Sequence, residues 1–393
     1  MKKSLVVVAL AGAMAFTAAS AETVLYGSIR LGAEVSKNHY SDVTNKAGDI
    51  TAVRENKRGL EMKDFGSRLG LKGSEDLGNG TKVIYQLEWG FDGMAGDANG
   101  EGFKNRLAYI GLTGDWGTVA LGRQNNPFTE SLNAGTIADE FNGDYTSALR
   151  IATGQVAFGA PMPTRVGNSV AYVSPSFSGF SFTVAGIAKA PKAVNENVDV
   201  LLPPDDIKLS IPQFSPEATY NGAGNKNKGF DIYTVGLNYE HESGFYAKAA
   251  YLGADLYKDQ KRVNTYGLNV GFINEQFGVT ADFGGASKGR KNGGVKTSST
   301  GWDVGAQFSF GPDYFSTVRA TAGQSKVTYK TVEADKLTDK MTVWAVGFEQ
   351  KLSTRTKVWA EFAKENQKLK VRGVSESAKR HNDVFSLGIR HDF

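Results

Sequence analysis

Four arginines stand within or beside runs of alternating apolar residues: Arg30 in LYGSIRLG, Arg68 in SRLGLKG, Arg106 in NRLAYIG and Arg165 in RVGNSVAYV. Glu88 is placed the same way in VIYQLEW, and Glu130, Asp139, Glu140 and Asp144 share one long polar stretch. Guanidinium and carboxylate groups so placed set a field across water rather than make covalent bonds. The residue types that covalent chemistry needs are scarce. There is no cysteine, which removes disulfides, thiolate metal sites and Cys nucleophiles. The 4 histidines, His39, His241, His381 and His391, lie in loops, near a turn or at the chain end, and form no Ser–His–Asp spacing. DEFNGD at 139–144 lacks the alternating acids and distal Glu of a calcium loop. The expectation is therefore no catalytic residues, no metal and no cofactor. Lys+Arg 45 against Asp+Glu 41 gives +4, which does not suggest nucleic acid.

Such charges need a scaffold of strands, and the chain supplies one. In Thr23–Ser36, Leu25, Gly27, Ile29, Leu31, Ala33 and Val35 share one face while Tyr26, Ser28, Arg30 and Glu34 share the other. Period two means a strand with one apolar and one polar side. Tyr266–Phe272, Trp302–Phe310 and Phe385–Phe393 repeat it. Sixteen candidate strands begin near 23, 60, 81, 103, 117, 165, 178, 230, 245, 263, 276, 301, 314, 341, 355 and 382. Their connections alternate between short turns, such as 115–116 and 242–244, and long loops, such as 37–59, 124–164 and 189–229. Strands of roughly ten residues, in even number and with loops sorted by side, describe an all-β transmembrane antiparallel barrel. A soluble sandwich would also alternate but would not sort its loops.

The N-terminus fits export. Lys2 and Lys3, an apolar run from Leu5 to Phe16 and Ala19-Ser20-Ala21 follow the order of a secretory signal peptide. Removal of 1–21 would leave 22–393 as one barrel domain. Parity then places Arg68 and Lys72 inward with Leu69 and Leu71 outward. It places Gln86 and Glu88 inward against Val83, Tyr85, Leu87 and Trp89. It places Arg106 inward with Leu107 and Tyr109 outward, and Arg165 inward with Val166, Val170 and Tyr172 outward. Tyr26, Trp89, Tyr109, Trp116, Tyr172, Tyr251 and Phe393 are candidates for interfacial girdles. Charges inside a barrel require water, and sixteen strands leave room for it. A loop at about 124–164 that folds inward would bring its carboxylates toward the arginines.

These segments carry a resemblance. LYGSIRLG, SRLGLKGSEDLGNGTKVIYQLEW, KNRLAYIGLTGDWGTVALGRQ, RVGNSVAYVSPSFSG and the terminal GIRHDF resemble the Gram-negative general diffusion porins. The resemblance implies a homotrimer of sixteen-stranded barrels in the outer membrane, with short periplasmic turns, long extracellular loops and loop three folded into each pore. It implies that Arg30, Arg68, Arg106 and Arg165 form a basic side. It implies Glu88 and Glu140 on an acidic side, which Asp139, with Glu130 and Asp144, would join as the other carboxylates of the loop. ADEFNG at 138–143 stands where many members carry a PEFGG-like segment, with Asp139 for Pro and Asn142 for one Gly. Thr136 stands at the usual second acid, and Arg30 lies two residues beyond the usual basic position, Ser28. The implied activity is passive diffusion of ions and small hydrophilic solutes; the alternative is a substrate-specific anion or sugar channel. The terminal Phe393 resembles a signal read by the barrel-assembly machinery, and basic loop residues suit lipopolysaccharide phosphates.

Overall fold

The computed structural model describes residues 22–40, 57–94, 102–132, 135–143, 145–188, 196–202, 207–213, 229–256, 261–289, 295–330, 336–372 and 377–393. The proposed signal peptide and Asp144 lie outside the described residues. The strands are β1 (Glu22–Tyr40), β2 (Lys57–Asp64), β3 (Arg68–Asp76), β4 (Lys82–Gly90), β5 (Lys104–Gly114), β6 (Gly117–Asn125), β7 (Arg165–Val173), β8 (Phe180–Ala188), β9 (Glu196–Leu202) and β10 (Ile207–Gln213). They continue as β11 (Phe230–Glu240), β12 (Phe245–Ala254), β13 (Val263–Ile273), β14 (Phe277–Lys288), β15 (Lys296–Phe310), β16 (Ser316–Lys330), β17 (Lys336–Lys351), β18 (Thr356–Val371) and β19 (Ser377–Asp392). Helices α1 (Pro127–Leu132) and α2 (Ala148–Phe158) lie between β6 and β7 with a 3-10 turn at Ile137–Asp139.

Every barrel strand pairs antiparallel with its neighbours, and the sheet closes through β8–β11 and β1–β19. β2 and β3 lie end to end along β1, covering Leu31–Asn38 and Glu22–Ser28 respectively, so together they form one stave. Counted so, the barrel has sixteen staves. The chain ends are joined: Gly27 N donates to Phe393 O at 3.0 Å and Phe393 N to Gly27 O at 3.1 Å. The Phe393 ring packs over Gly27, and a Cβ at this position would make that ring turn aside. β9 and β10 form a separate antiparallel hairpin inside the 189–229 connection, which alternation did not reveal.

The outer face is apolar and exposed. Leu25, Leu121, Leu237, Leu268, Val279 and Leu387 each keep about half of their surface uncovered. In water such a belt would be a large aggregation surface, whereas a bilayer covers it. Among the described residues no helix is long and apolar enough to cross a membrane. The crossing is made by strands.

Two differences from the sequence reading have clear causes. β15, β17 and β19 begin about five residues before their expected starts. The added residues, KTSST, KLTDK and SAKRH, carry no apolar face, and strand beyond the bilayer needs none. Inside, a belt of wall beneath α1 and α2 is apolar, not polar: Phe128, Leu132, Leu149 and Met162 are fully buried against Ile232, Leu252 and Val263. The inserted segment displaces water there, so that wall behaves as a protein core.

Candidate functional site: the constricted lumen

The segment between β6 and β7 runs along the inner wall. α1 packs on β8 and β11–β13, the 3-10 turn on β14–β16 and α2 on β13–β17. Its base is closed by Asn126 N donating to Thr164 O and Asn126 Nδ2 to Pro163 O, both at 2.8 Å. The wall under it is built of inward glycines. Leu132 rests on Gly267, Leu149 on Gly284, Ala152 on Gly301 and Ile137 on Gly305. A Cβ at Gly267 or Gly301 would come within 2.2 or 2.6 Å of these side chains, so small residues here decide how closely the insert lies on the wall.

α2 is anchored electrostatically as well. Ser147 caps it by accepting from Arg150 N at 3.2 Å. The buried Asp303 carboxylate on β15 accepts from Ala148 N at 3.0 Å and Leu149 N at 2.6 Å. These are the free donors of a helix N-terminus, where a negative group is favoured. Gly159 ends the helix at φ +66°. The tip is held by Glu361 on β18, which accepts from Asn142 N at 2.9 Å, Gly143 N at 2.7 Å and Asn142 Nδ2 at 2.9 Å. Arg319 Nη1 on β16 donates to Glu140 O at 2.8 Å and lies 3.3 Å from Glu349 Oε2. Lys357 Nζ reaches the same Glu349 oxygen at 2.8 Å.

The arginines occupy the wall that the insert leaves open. Arg30, Arg68, Arg106 and Arg165 stand on β1, β3, β5 and β7, close enough to interact electrostatically, and Arg123 and Arg390 join them. Arg106 Nε donates to Glu88 Oε1 at 2.6 Å, while Arg68 Nε lies 3.8 Å from Glu88 Oε2. Tyr26 donates to Glu88 at 3.1 Å, Gln86 Nε2 donates to the Tyr26 hydroxyl, and Tyr109 donates to Gln86 at 2.8 Å. Arg30 Nε donates to Ser28 Oγ at 3.0 Å, and Arg390 Nε to Asp392 at 2.8 Å.

Three of these arginines sit at breaks in the ladder. Opposite Arg30, the second stave is interrupted between Asp64 and Arg68. Gly66 there takes φ +95°, and Ser67 Oγ accepts from Arg30 N at 2.9 Å. Arg106 is the extra residue of a bulge, since Glu88 pairs Leu107 while Trp89 pairs Asn105. Arg123 is skipped between Gly122 and Gln124, with Gly122 at φ +128°. Bulges re-aim side chains, and they explain where parity misleads. Past the Arg106 bulge the faces exchange: Leu107 is buried, Tyr109 bonds Gln86 within the barrel, and Ile110 and Leu112 face outward. Val166, expected outward, packs on the inserted segment, with Asn168 at φ +52° just beyond. Tyr26 and Tyr109 are thus lumen residues, not girdle residues. Trp116 and Phe393 are exposed.

The acidic residues separate. Asp139 and Glu140 lie at the tip of the insert and are exposed to the lumen. Surrounding protein raises the Asp139 carboxyl above the usual range; the Arg150 charge opposes this and the Glu140 charge adds to it. Glu88 belongs to the arginine wall itself. Glu130, on α1, lies near Lys248 of β12, away from the arginines. Arg123, Arg390, Arg319, Glu349, Lys357 and Glu361 were not singled out from sequence. Arg123 in LGRQ and Arg390 in GIRHDF were visible there, but nothing local marks which strands lie across the lumen.

The fold and lumen define a transmembrane β-barrel with an internal loop against its inner wall, in which charged side chains face the lumen. Residues 5–369 match the family model described as Gram-negative porin, and the chain belongs to that family. It is 34% identical over 250 residues to the major outer membrane protein P.IB of Neisseria gonorrhoeae, an alignment covering 64% of this chain and 56% of that protein. The chain thus spans little more than half the length of that relative. An anion-selective porin from Comamonas acidovorans shares the fold, with TM-score 0.62 at 18% identity, covering 95% of this chain and 100% of that one. So does the trimer form of OmpT of Vibrio cholerae, with TM-score 0.55 at 12% identity, covering 95% and 100%.

Proposed function

We propose that this protein is an outer-membrane channel through which ions and small hydrophilic solutes diffuse passively, with a preference for anions. The observation that carries the reading is the arrangement of the lumen. Arg30, Arg68, Arg106, Arg123, Arg165 and Arg390 share the wall that the inserted loop leaves uncovered. Across it, Asp139 and Glu140 stand on a loop anchored by Asp303 and Glu361. Opposed charges across water hold polar solutes better than apolar ones, and among the described residues the arginines outnumber the loop carboxylates Asp139 and Glu140. Family membership and the apolar belt support the outer-membrane setting. The named trimer form of the Vibrio protein supports a homotrimer. Removal of 1–21, assembly through a terminal signal that includes Phe393, and contact with lipopolysaccharide belong to the same reading.

Liposome swelling tests it. Liposomes carrying the refolded protein should admit uncharged sugars at rates that fall smoothly with size and rise linearly with concentration. Saturation would replace free diffusion with a substrate-specific channel, and no swelling with a folded barrel would refute the pore.

A further inference from the structure

The outward face of β15–β19 carries charge that the pore does not use. The register across these strands runs without a shift. It sets Lys326 opposite Lys340, Lys340 opposite Lys368 and Lys368 opposite Lys379. All four are exposed. Lys326 alternates with the buried Ser325 and Val327, which face inward. A second row nearer the long-loop mouth pairs Lys296 with Lys330 and Lys330 with Lys336. Adjacent strands lie about 4.8 Å apart, so the first row sets four lysines across about 14 Å. Like charges directly opposite one another destabilise a sheet. Among the described residues the outward acid on these strands is Asp383, which lies 3.1 Å from Lys364. The adjoining loops carry Glu333, Asp335 and Glu376 against Arg290, Lys291 and Arg372, so they add no net charge to offset the rows. Below the lysines the same face is apolar. Ala320, Val346, Phe362 and Phe385 lie six residues along their strands from Lys326, Lys340, Lys368 and Lys379 in turn, and all four line an apolar groove of about 620 Å³. Six residues are about 20 Å of strand, and a tilt of about 40° makes that about 15 Å of depth, one leaflet of a core about 30 Å thick.

We propose that the ladder Lys326–Lys340–Lys368–Lys379 is a binding site for lipopolysaccharide, with its phosphate groups across the lysines and its acyl chains running down to the groove. The proposal rests on the outer-membrane setting of the reading above and names where that lipid is held. A soluble polyanion would use the ladder and leave the groove empty. A lipid without phosphate would use the groove and leave the lysines opposed. One molecule with several anionic groups above apolar chains satisfies both, and each ammonium offers three donors to phosphate oxygens. The lysines supply the positive charge themselves, so no divalent cation is needed between protein and lipid.

The test is native mass spectrometry of the full mature protein in uncharged detergent with EDTA. The probes are diphosphoryl lipid A, its phosphate-free counterpart and tripolyphosphate. Diphosphoryl lipid A should bind, and the double variant Lys340→Gln/Lys368→Gln should bind it about tenfold more weakly, as two surface lysine contacts imply. Lys351→Gln/Arg355→Gln removes the same charge from exposed positions at the short-turn end and should bind like wild type. Equal binding of the phosphate-free lipid, or equal losses in the two double variants, would overturn the site. Tripolyphosphate binding as tightly as the lipid would assign the ladder to a soluble polyanion instead. Loss of oligomer in Lys340→Gln/Lys368→Gln would place a second copy of the chain there and also overturn the proposal. Planar-bilayer conductance of the same preparations separates the two claims. Current without lipid binding removes the ladder proposal alone, and lipid binding without current removes the pore alone.

Discussion

Replacing Glu361 by alanine tests how the constriction is held. This carboxylate is 4% exposed and accepts from Asn142 N, Gly143 N and Asn142 Nδ2 at 2.9, 2.7 and 2.9 Å. Hydrogen bonds to a charged group contribute about 1.5–3 kcal/mol each. The tip borders water, which replaces part of what is lost, so the expected loss for the three together is about 2–4 kcal/mol rather than their full sum. At 1.4 kcal/mol per tenfold, the balance between docked and released tip shifts by roughly 30-fold or more. The barrel ladder is untouched, and α2 keeps Asp303 and its seat on the glycines. The variant should fold and insert normally while its open-channel current becomes noisier, with excursions to altered conductance. Glu361→Gln, which keeps one acceptor, should fall between. Open-channel noise of Glu361→Ala indistinguishable from wild type, in a channel of unchanged conductance, would refute the anchoring argument.

Arg106→Ala should move the reversal potential in a salt gradient toward cations and also strip Glu88 of its shorter arginine contact, leaving Arg68 at 3.8 Å, so its effect should exceed that of Arg123→Ala, which leaves both contacts in place. Gly301→Leu should push α2 off the wall, because a Cβ there already falls 2.6 Å from Ala152 Cβ; conductance should change and proteolysis should reach the loop, whereas Gly229→Ala, where a Cβ meets nothing, should leave both unchanged. Acidification should increase anion preference, beginning above the usual carboxylate range: the Asp139 carboxyl is raised, so its charge is lost early as pH falls. Reversal potentials measured from neutral pH downward check this, and Asp139→Asn should remove the early part of the change.

Much of the barrel was legible because a membrane imposes period two on every crossing. Leu268, Val270 and Phe272 needed only their neighbours to be assigned outward. Legibility failed where that constraint lapses. KTSST and SAKRH extend strands beyond lipid, so nothing in them alternates. Tyr109 lies past a bulge whose extra residue is Arg106, and parity cannot count a residue that pairs with nothing. α2 was missed: the sequence reading gives only a loop at about 124–164, where Ser147 and Gly159 cap the helix ALRIATGQVAF. The acids on the loop were visible, but the residues that hold the loop were not. Asp303 and Glu361 lie more than a hundred residues from the backbone they bind, and only closure of the barrel brings them there.

The most direct test of the central claim is single-channel recording of the refolded mature protein in a planar bilayer, with the reversal potential taken in a salt gradient. The account predicts a large ohmic conductance that closes in three equal steps, with a reversal potential of the sign set by anions. A correctly folded barrel that carries no current would contradict it, and a cation-selective current would show that Asp139 and Glu140 outweigh the arginine wall.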